Sequence, residues 1–349
     1  MARASRRSIL VTGPDREPIA AVIGAGVVGG RVVRHIISGT NTGSVFVADA
    51  RPAAADAVVD ACGGRAVAVP RERALHAPVV VIATPAPQLA LASSALERGA
   101  HVVTTSDEVE DVTSLLRLAS SGGELRTSLV VGANLSPGIA GLVARMLVAQ
   151  LDDADEIHVA MHGTGGPSCA RQHHRALAGI GVGWHDGEWI ERPAGSGREL
   201  CYFPEPVGPR DCYRAEIPDP IVLHQAFPSI ARITARMSAT RRDRLTARLP
   251  MLSPPHREGA MGALRVEVRG TRDRGREALV VGLAERTGTA TAVMAGIIAL
   301  SLRDGTIARP GLILPGDPEL PNDLLLDRLR DGGVVLTEFV GSVVTGSTW

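Results

Sequence analysis

The chain has 349 residues, an apolar fraction of 45%, aromatics at 3% and a formal net charge of +0. That length predicts two domains. Balanced charge and scarce rings argue against nucleic acid or an anionic membrane surface as a partner. The opening "MARASRRSILVTGPDREP" lacks an apolar signal core, so residues 1–17 read as a disordered leader. Short, nearly continuous apolar runs follow at Ile19–Ile23, Ser44–Ala48, Ala66–Val69, Val79–Ala83, His101–Thr104 and Ser128–Gly132. Such runs suit strands buried on both faces of a parallel sheet. Helical patterns lie between them at Val27–Ser38, Pro87–Glu97 and Val109–Ala119. The alternation predicts an α/β, doubly wound Rossmann domain over residues 18–150.

In "ANLSPGIAGLVARMLVAQL", Ser136 is the expected cap of a helix with Pro137 in its first turn, running to about Leu151. Beyond it the rhythm becomes more alternating, at Ile157–Met161, Gly181–Ile190, Glu199–Phe203, Ile230–Ser238, Leu264–Arg269 and Ala278–Ala284. This predicts a second, α+β domain over 151–285 with a mainly antiparallel sheet. A helix from Thr287 to Leu302 is expected to return, within 286–316, to the first domain. Residues 317–349 form a tail with an amphipathic stretch at Asn322–Leu329 and the segment "FVGSVV", a candidate for homodimer assembly.

All 37 basic residues are arginine, which removes lysine as a Schiff-base former or proton donor. Cys62, Cys169, Cys201 and Cys212 form no CxxC pair and fit no zinc template. A reduced, cytoplasmic protein without a metal is the expectation. No run of about 18 apolar residues is present, so no membrane span is expected.

The stretch "AAVIGAGVVGG" carries Gly24-Ala25-Gly26-Val27-Val28-Gly29 between a strand and an amphipathic helix. In a dinucleotide turn the first glycine permits the bend, the second lets backbone approach the pyrophosphate, and the third lets helix and strand close up. Asp49 follows Gly29 by 20 positions, at the end of the next strand. A carboxylate there holds ribose hydroxyls and favours NAD, whereas Arg51 could grip a 2′-phosphate and favour NADP. Ala83 and Thr84 end the strand "VVVIATPAP" with small residues, and "HVVTTSD" ends the next with Thr104, Thr105, Ser106 and Asp107. These tips share the edge where ligands bind in open α/β sheets.

The segments "VIGAGVVGGRVVRHI", "VVVIATPAP", "GAHVVTTSD", "ANLSPGIAGLVARML" and "GTATAVMAGIIALSLRDGTIARPGLILPGD" together resemble the saccharopine dehydrogenase-like oxidoreductases, over the chain to about Asp317. The first three are common to many Rossmann dehydrogenases; the last two are more specific. The resemblance implies hydride transfer with NAD(P)H to or from an imine or semialdehyde derived from an amino acid.

The segment "AMHGTGGPSCARQHHRALAGIGVGW" departs from that family's usual sequence. It holds His162, Cys169, Arg171, His173 and His174. A histidine suits the proton donor of a reductase, so His162, His173 and His174 are the candidates. On a helix the adjacent His173 and His174 point about 100° apart, which makes them poor joint metal ligands. Arg171 is the candidate for a substrate carboxylate. Cys169 near a helix start could be an activated thiolate of a semialdehyde dehydrogenase. A non-catalytic NAD(H)-binding sensor is the reading from another class. The arginine-rich "ARITARMSATRRDRLTARL" and "RVEVRGTRDRGRE" are expected on solvated faces and hairpin turns.

Overall fold

The computed structural model describes residues 18–121 and 124–339. The expected leader, 1–17, and the "FVGSVV" segment beyond Phe339 lie outside the described residues. The first sheet is built from β1 (Pro18–Ile23), β2 (Ser44–Ala48), β3 (Ala66–Ala68), β4 (Val79–Ile82), β5 (His101–Thr104) and β6 (Ser128–Val130). Helices α1 (Val27–Ser38), α2 (Pro52–Asp60), α3 (Arg71–Ala74), α4 (Leu89–Glu97) and α5 (Val109–Ser121) connect them. Every pairing is parallel, in the order β6-β5-β4-β1-β2-β3. Val79 to Ile82 are all fully buried, because helices cover both faces of a parallel sheet.

The chain leaves this sheet through a π-turn, Leu135–Ile139, and α6 (Ala140–Val148). The cap differs from the expected one. Asn134, not Ser136, accepts the bond from the Gly138 N–H. Ser136 has extended backbone inside the turn, which points its hydroxyl away from the helix start.

The second sheet opens with β7 (Asp153–His162), followed by α7 (Pro167–Ala176), β8 (Ile180–His185), β9 (Glu188–Pro193), β10 (Glu199–Tyr202) and β11 (Pro209–Tyr213). Then come α8 (Asp219–Ala226), β12 (Arg232–Ser238), α9 (Arg241–Thr246), β13 (Met261–Arg272) and β14 (Gly275–Arg286). The stretch expected as one strand, Gly181–Ile190, is a hairpin: Asp186 and Gly187 take φ of 49° and 90°, the left-handed pair that a two-residue turn requires. The strand β11 was not anticipated. Pairing is antiparallel except for β7 with β12.

The two arginine-rich segments lie on β12, α9 and the β13–β14 hairpin. Arg265 and Arg269 flank Glu267 two residues to either side, on one face of the strand, and Arg276 pairs with Asp155. The remaining elements are α10 (Thr287–Arg303), β15 (Gly311–Ile313), α11 (Asn322–Asp331) and β16 (Thr337–Glu338). Helix α10 is buried nearly all round and packs on α1. Gly296 makes the approach close: a Cβ there would come within 2.5 Å of the His35 ring. Beyond it, β15 pairs parallel with β6 and completes a seven-stranded sheet, and β16 pairs with β14 in the second.

Candidate functional site

The glycine turn sits between β1 and α1. Gly24 has φ of +105°, and a Cβ there would meet the Ala83 carbonyl at 2.6 Å. Gly29 is tighter, since its Cβ would lie 1.7 Å from the Gly24 carbonyl oxygen. Gly26 is different: nothing lies within 4 Å of where its Cβ would be. The fold does not need glycine there, but a ligand resting on the backbone would. Helix α1 has no side-chain cap and no acid in its first turn, which leaves its positive end free for an anion.

The Asp49 carboxylate accepts a 2.7 Å bond from the Ala25 N–H and a 2.8 Å bond from the Arg51 N–H. It is thereby aimed at the turn from the tip of β2. The Arg51 side chain is 78% exposed, with its Nε 3.6 Å from Asp49. Ala83 lies beside Gly29. The Thr84 hydroxyl is buried without a protein partner. Thr104 is fully buried, and its hydroxyl donates to the Val130 carbonyl, so it braces the sheet and does not face the crevice. The open space at Gly26, the free helix end and the aimed carboxylate fit a dinucleotide.

Helix α7 begins against this turn. A Cβ on Gly166, just before α7, would lie 3.1 Å from the Val27 side chain, and one on Gly165 would lie 3.5 Å from Val28. Cys169 and His173 are four residues apart on α7 and therefore share a face. Asp107 reaches them from the loop after β5. His173 Nε2 lies 3.1 Å from Asp107 Oδ2, and Cys169 Sγ lies 3.6 Å from each of those two atoms. Burial opposes protonation of His173, but the Cys169 sulfur and the Asp107 carboxylate outweigh it and hold its pKa well above the usual imidazole value. Its Nδ1 is buried without a protein partner.

The other sequence candidates are placed apart from this cluster. His162 ends β7, with Nδ1 2.6 Å from the Ser238 hydroxyl. Burial, then the nearby Arg210 charge, lowers its pKa. His174 is buried and its Nε2 faces the Thr246 and Leu249 carbonyls at 3.0 and 3.1 Å, which ties α7 to the end of α9. Arg171 is on the exposed face of α7, 3.4 Å from the Ser168 hydroxyl, and is not brought to the cluster. His162, His173 and His174 all line a cavity of about 770 Å³ on the second sheet's side. Among the described residues lining it, Arg210 is the one guanidinium.

A second buried pair adjoins this region. The Ser136 hydroxyl donates to Asp219 Oδ1, and Oδ2 has no protein partner. Burial raises the Asp219 pKa to about 6, with the Ser136 bond opposing the rise. Asp107 and His173 are close enough to shift it further, in opposite directions. Sequence reasoning missed Asp219 altogether, since "IPDPIV" carries no motif. Asp107 was legible as a strand tip but not as a partner of α7.

A parallel sheet in Rossmann order, a glycine turn with an aimed acid, and a second mixed sheet define a two-domain Rossmann-type fold. No protein-family model and no curated protein matches the chain. Among solved structures, apo saccharopine dehydrogenase (L-Glu forming) from Saccharomyces cerevisiae superposes with a TM-score of 0.67 at 16% identity, covering 92% of this chain and 99% of that one. This establishes a shared fold across both domains. Weaker likenesses include C. glutamicum DAP dehydrogenase in complex with DAP (TM-score 0.47, 14% identity, 90% and 99% covered). GenD2 from gentamicin A biosynthesis, in complex with NAD, is another (0.43, 15%, 92% and 96%).

Proposed function

We propose that the protein is an NAD(P)-dependent oxidoreductase that transfers a hydride to or from a small amino-acid-derived imine, carbonyl or semialdehyde. The observation that carries this reading is the contact between the start of α7 and the glycine turn. It supports reading Asp107, Cys169 and His173 as a proton-handling cluster on the helix that starts against the cradle of Gly24, Gly26 and Gly29. Asp49 would hold the adenosine ribose and favours NAD. When bound, the nicotinamide supplies or accepts the hydride.

The chain's own groups handle the proton and the substrate. His173, kept protonated by Cys169 and Asp107, suits a proton donor to the atom that receives hydride. His162, kept uncharged by burial and the Arg210 charge, suits a second proton-handling group on the cavity wall. A substrate carboxylate fits Arg210, which lines the cavity, better than Arg171, which faces solvent.

A second reading is favoured by the 3.6 Å separation of Cys169 Sγ and His173 Nε2. A thiolate paired with a protonated imidazole at that distance can act as a nucleophile toward an aldehyde. The test is binding of NADH and NADPH to the purified protein, followed by a turnover screen of amino-acid-derived imines and semialdehydes. Saturable binding with turnover of one such class is expected. Binding of neither cofactor overturns the reading, and full turnover in Cys169→Ser removes the thiol version.

A further inference from the structure

Asp107, Cys169 and His173 present three Lewis-basic atoms to one another, Oδ2, Sγ and Nε2, from two separate parts of the fold. We propose that these three residues form a site for a divalent transition metal, with zinc the best fit to the donor set. The inference goes beyond the oxidoreductase reading and does not rest on it: with a metal bound, Nε2 of His173 is a ligand, and His162 is left as the proton-handling histidine of that reading.

The geometry is the first argument. Zinc holds thiolate sulfur at about 2.3 Å and imidazole nitrogen or carboxylate oxygen at about 2.0–2.2 Å, tetrahedrally. Those lengths and angles separate the donor atoms by about 3.3–3.6 Å. The observed separations are 3.1 Å between Nε2 and Oδ2, and 3.6 Å from Sγ to each. The observed separations differ from that range by no more than a few tenths of an ångström.

The local structure is the second. Cys169 and His173 stand one turn apart on α7, the spacing that sets two ligands on one helix face. Asp107 closes the triangle from the loop after β5, so the third ligand comes from the parallel sheet. Hydrogen bonding alone serves two sides of this triangle, since the Cys169 thiol and the His173 Nε2–H can each donate to Asp107 Oδ2, and leaves the Sγ–Nε2 side without a proton of its own. His173 makes both contacts through Nε2, and one proton there can point at Oδ2 or at Sγ, not at both. A cation satisfies all three at once.

The donor chemistry is the third. Thiolate and imidazole select zinc or a neighbouring transition metal over magnesium and calcium, which take oxygen ligands. Three protein ligands leave one tetrahedral position for a water or a substrate oxygen, the count of a reactive site rather than a closed structural one. Sequence spacing could not show this, because Asp107 is 62 residues from Cys169.

The test uses the full chain, treated with a chelator and then titrated with Co²⁺ while visible absorption is recorded. One equivalent of Co²⁺ per chain is expected, with tetrahedral d–d bands and a thiolate-to-cobalt charge-transfer band, and Zn²⁺ should displace it. Cys169→Ser should lose the charge-transfer band and weaken binding at least about tenfold. Cys62→Ser, remote from the cluster, should change neither. Asp107→Asn should weaken binding to a similar degree with the charge-transfer band retained at saturation, and it serves if circular dichroism shows Cys169→Ser misfolded. Failure of the wild type to bind one equivalent overturns the proposal, as does a charge-transfer band that survives in folded Cys169→Ser. No hydride transfer enters the readout, so failure here is separate from failure of the oxidoreductase reading.

Discussion

Nε2 of His173 meets Oδ2 of Asp107 at 3.1 Å, joining a helix of the second domain to the tip of a strand in the first. The two residues are 66 positions apart in the chain. Around this contact lie Cys169, the start of α7 and the glycine turn. In the metal-free protein, Asp107→Asn should leave His173 with a weaker acceptor and a lower pKa. A histidine with a raised folded pKa favours the fold fully below its unfolded value near 6.5, and that contribution is lost as pH rises through the folded value. The wild type should therefore lose stability above about pH 6.5 more steeply than the variant. Melting temperatures across that range check it.

Gly26 and Gly29 should respond in opposite ways to alanine. Gly29→Ala places a Cβ 1.7 Å from a backbone carbonyl, so α1 must move, at a cost of roughly 1–3 kcal/mol or more. Gly26→Ala meets nothing within 4 Å and should change stability by less than about 1 kcal/mol. Its dinucleotide affinity should nevertheless fall at least tenfold. Thermal melts and cofactor titrations of both variants separate the two roles. Unchanged affinity in Gly26→Ala would remove the turn from the cofactor site.

Asp49→Ala removes the acceptor of the Ala25 and Arg51 N–H groups as well as the proposed ribose ligand. Affinity for NAD should fall about tenfold or more, the loss of one to two charge-assisted bonds. Affinity for NADP should fall less, because the carboxylate no longer opposes a 2′-phosphate and Arg51 is released toward it. Parallel titrations with both cofactors measure the ratio.

Asp219 carries its own pH dependence. Its pKa rises on folding from 3.8 to about 6. A raised acid favours the fold fully below the unfolded pKa, and that contribution falls away as pH rises to the folded value. The window is about pH 4 to 6, and the span is about 3 kcal/mol. Asp219→Asn should flatten the stability profile there, with the Ser136 hydroxyl still able to donate to the amide oxygen. Denaturant unfolding at pH 4, 5, 6 and 7 checks the slope.

Much of the parallel sheet is legible in the sequence. Apolar runs such as Val79–Ile82 are continuous because both faces are buried, and α1 begins and ends where its glycine and apolar pattern place it. The hairpin at Asp186–Gly187 was missed: the Asp-Gly pair carries the turn chemistry, but the apolar content on both sides made Gly181–Ile190 read as one strand. The Ser136 cap misled because two polar residues precede Pro137, and only the backbone path decides which of them faces the helix start.

What the sequence determined by itself is therefore local: the strand–helix alternation, the glycine turn with Asp49, and the apolar return of α10. Each depends on periodicity or on spacing within a short span, where covalent geometry dictates which side chains share a face. The tertiary structure alone decided that Asp107 meets Cys169 and His173, that Ser136 meets buried Asp219, and that Arg171 faces solvent. Those contacts are set by how two sheets pack across one core, and no spacing along the chain encodes that approach.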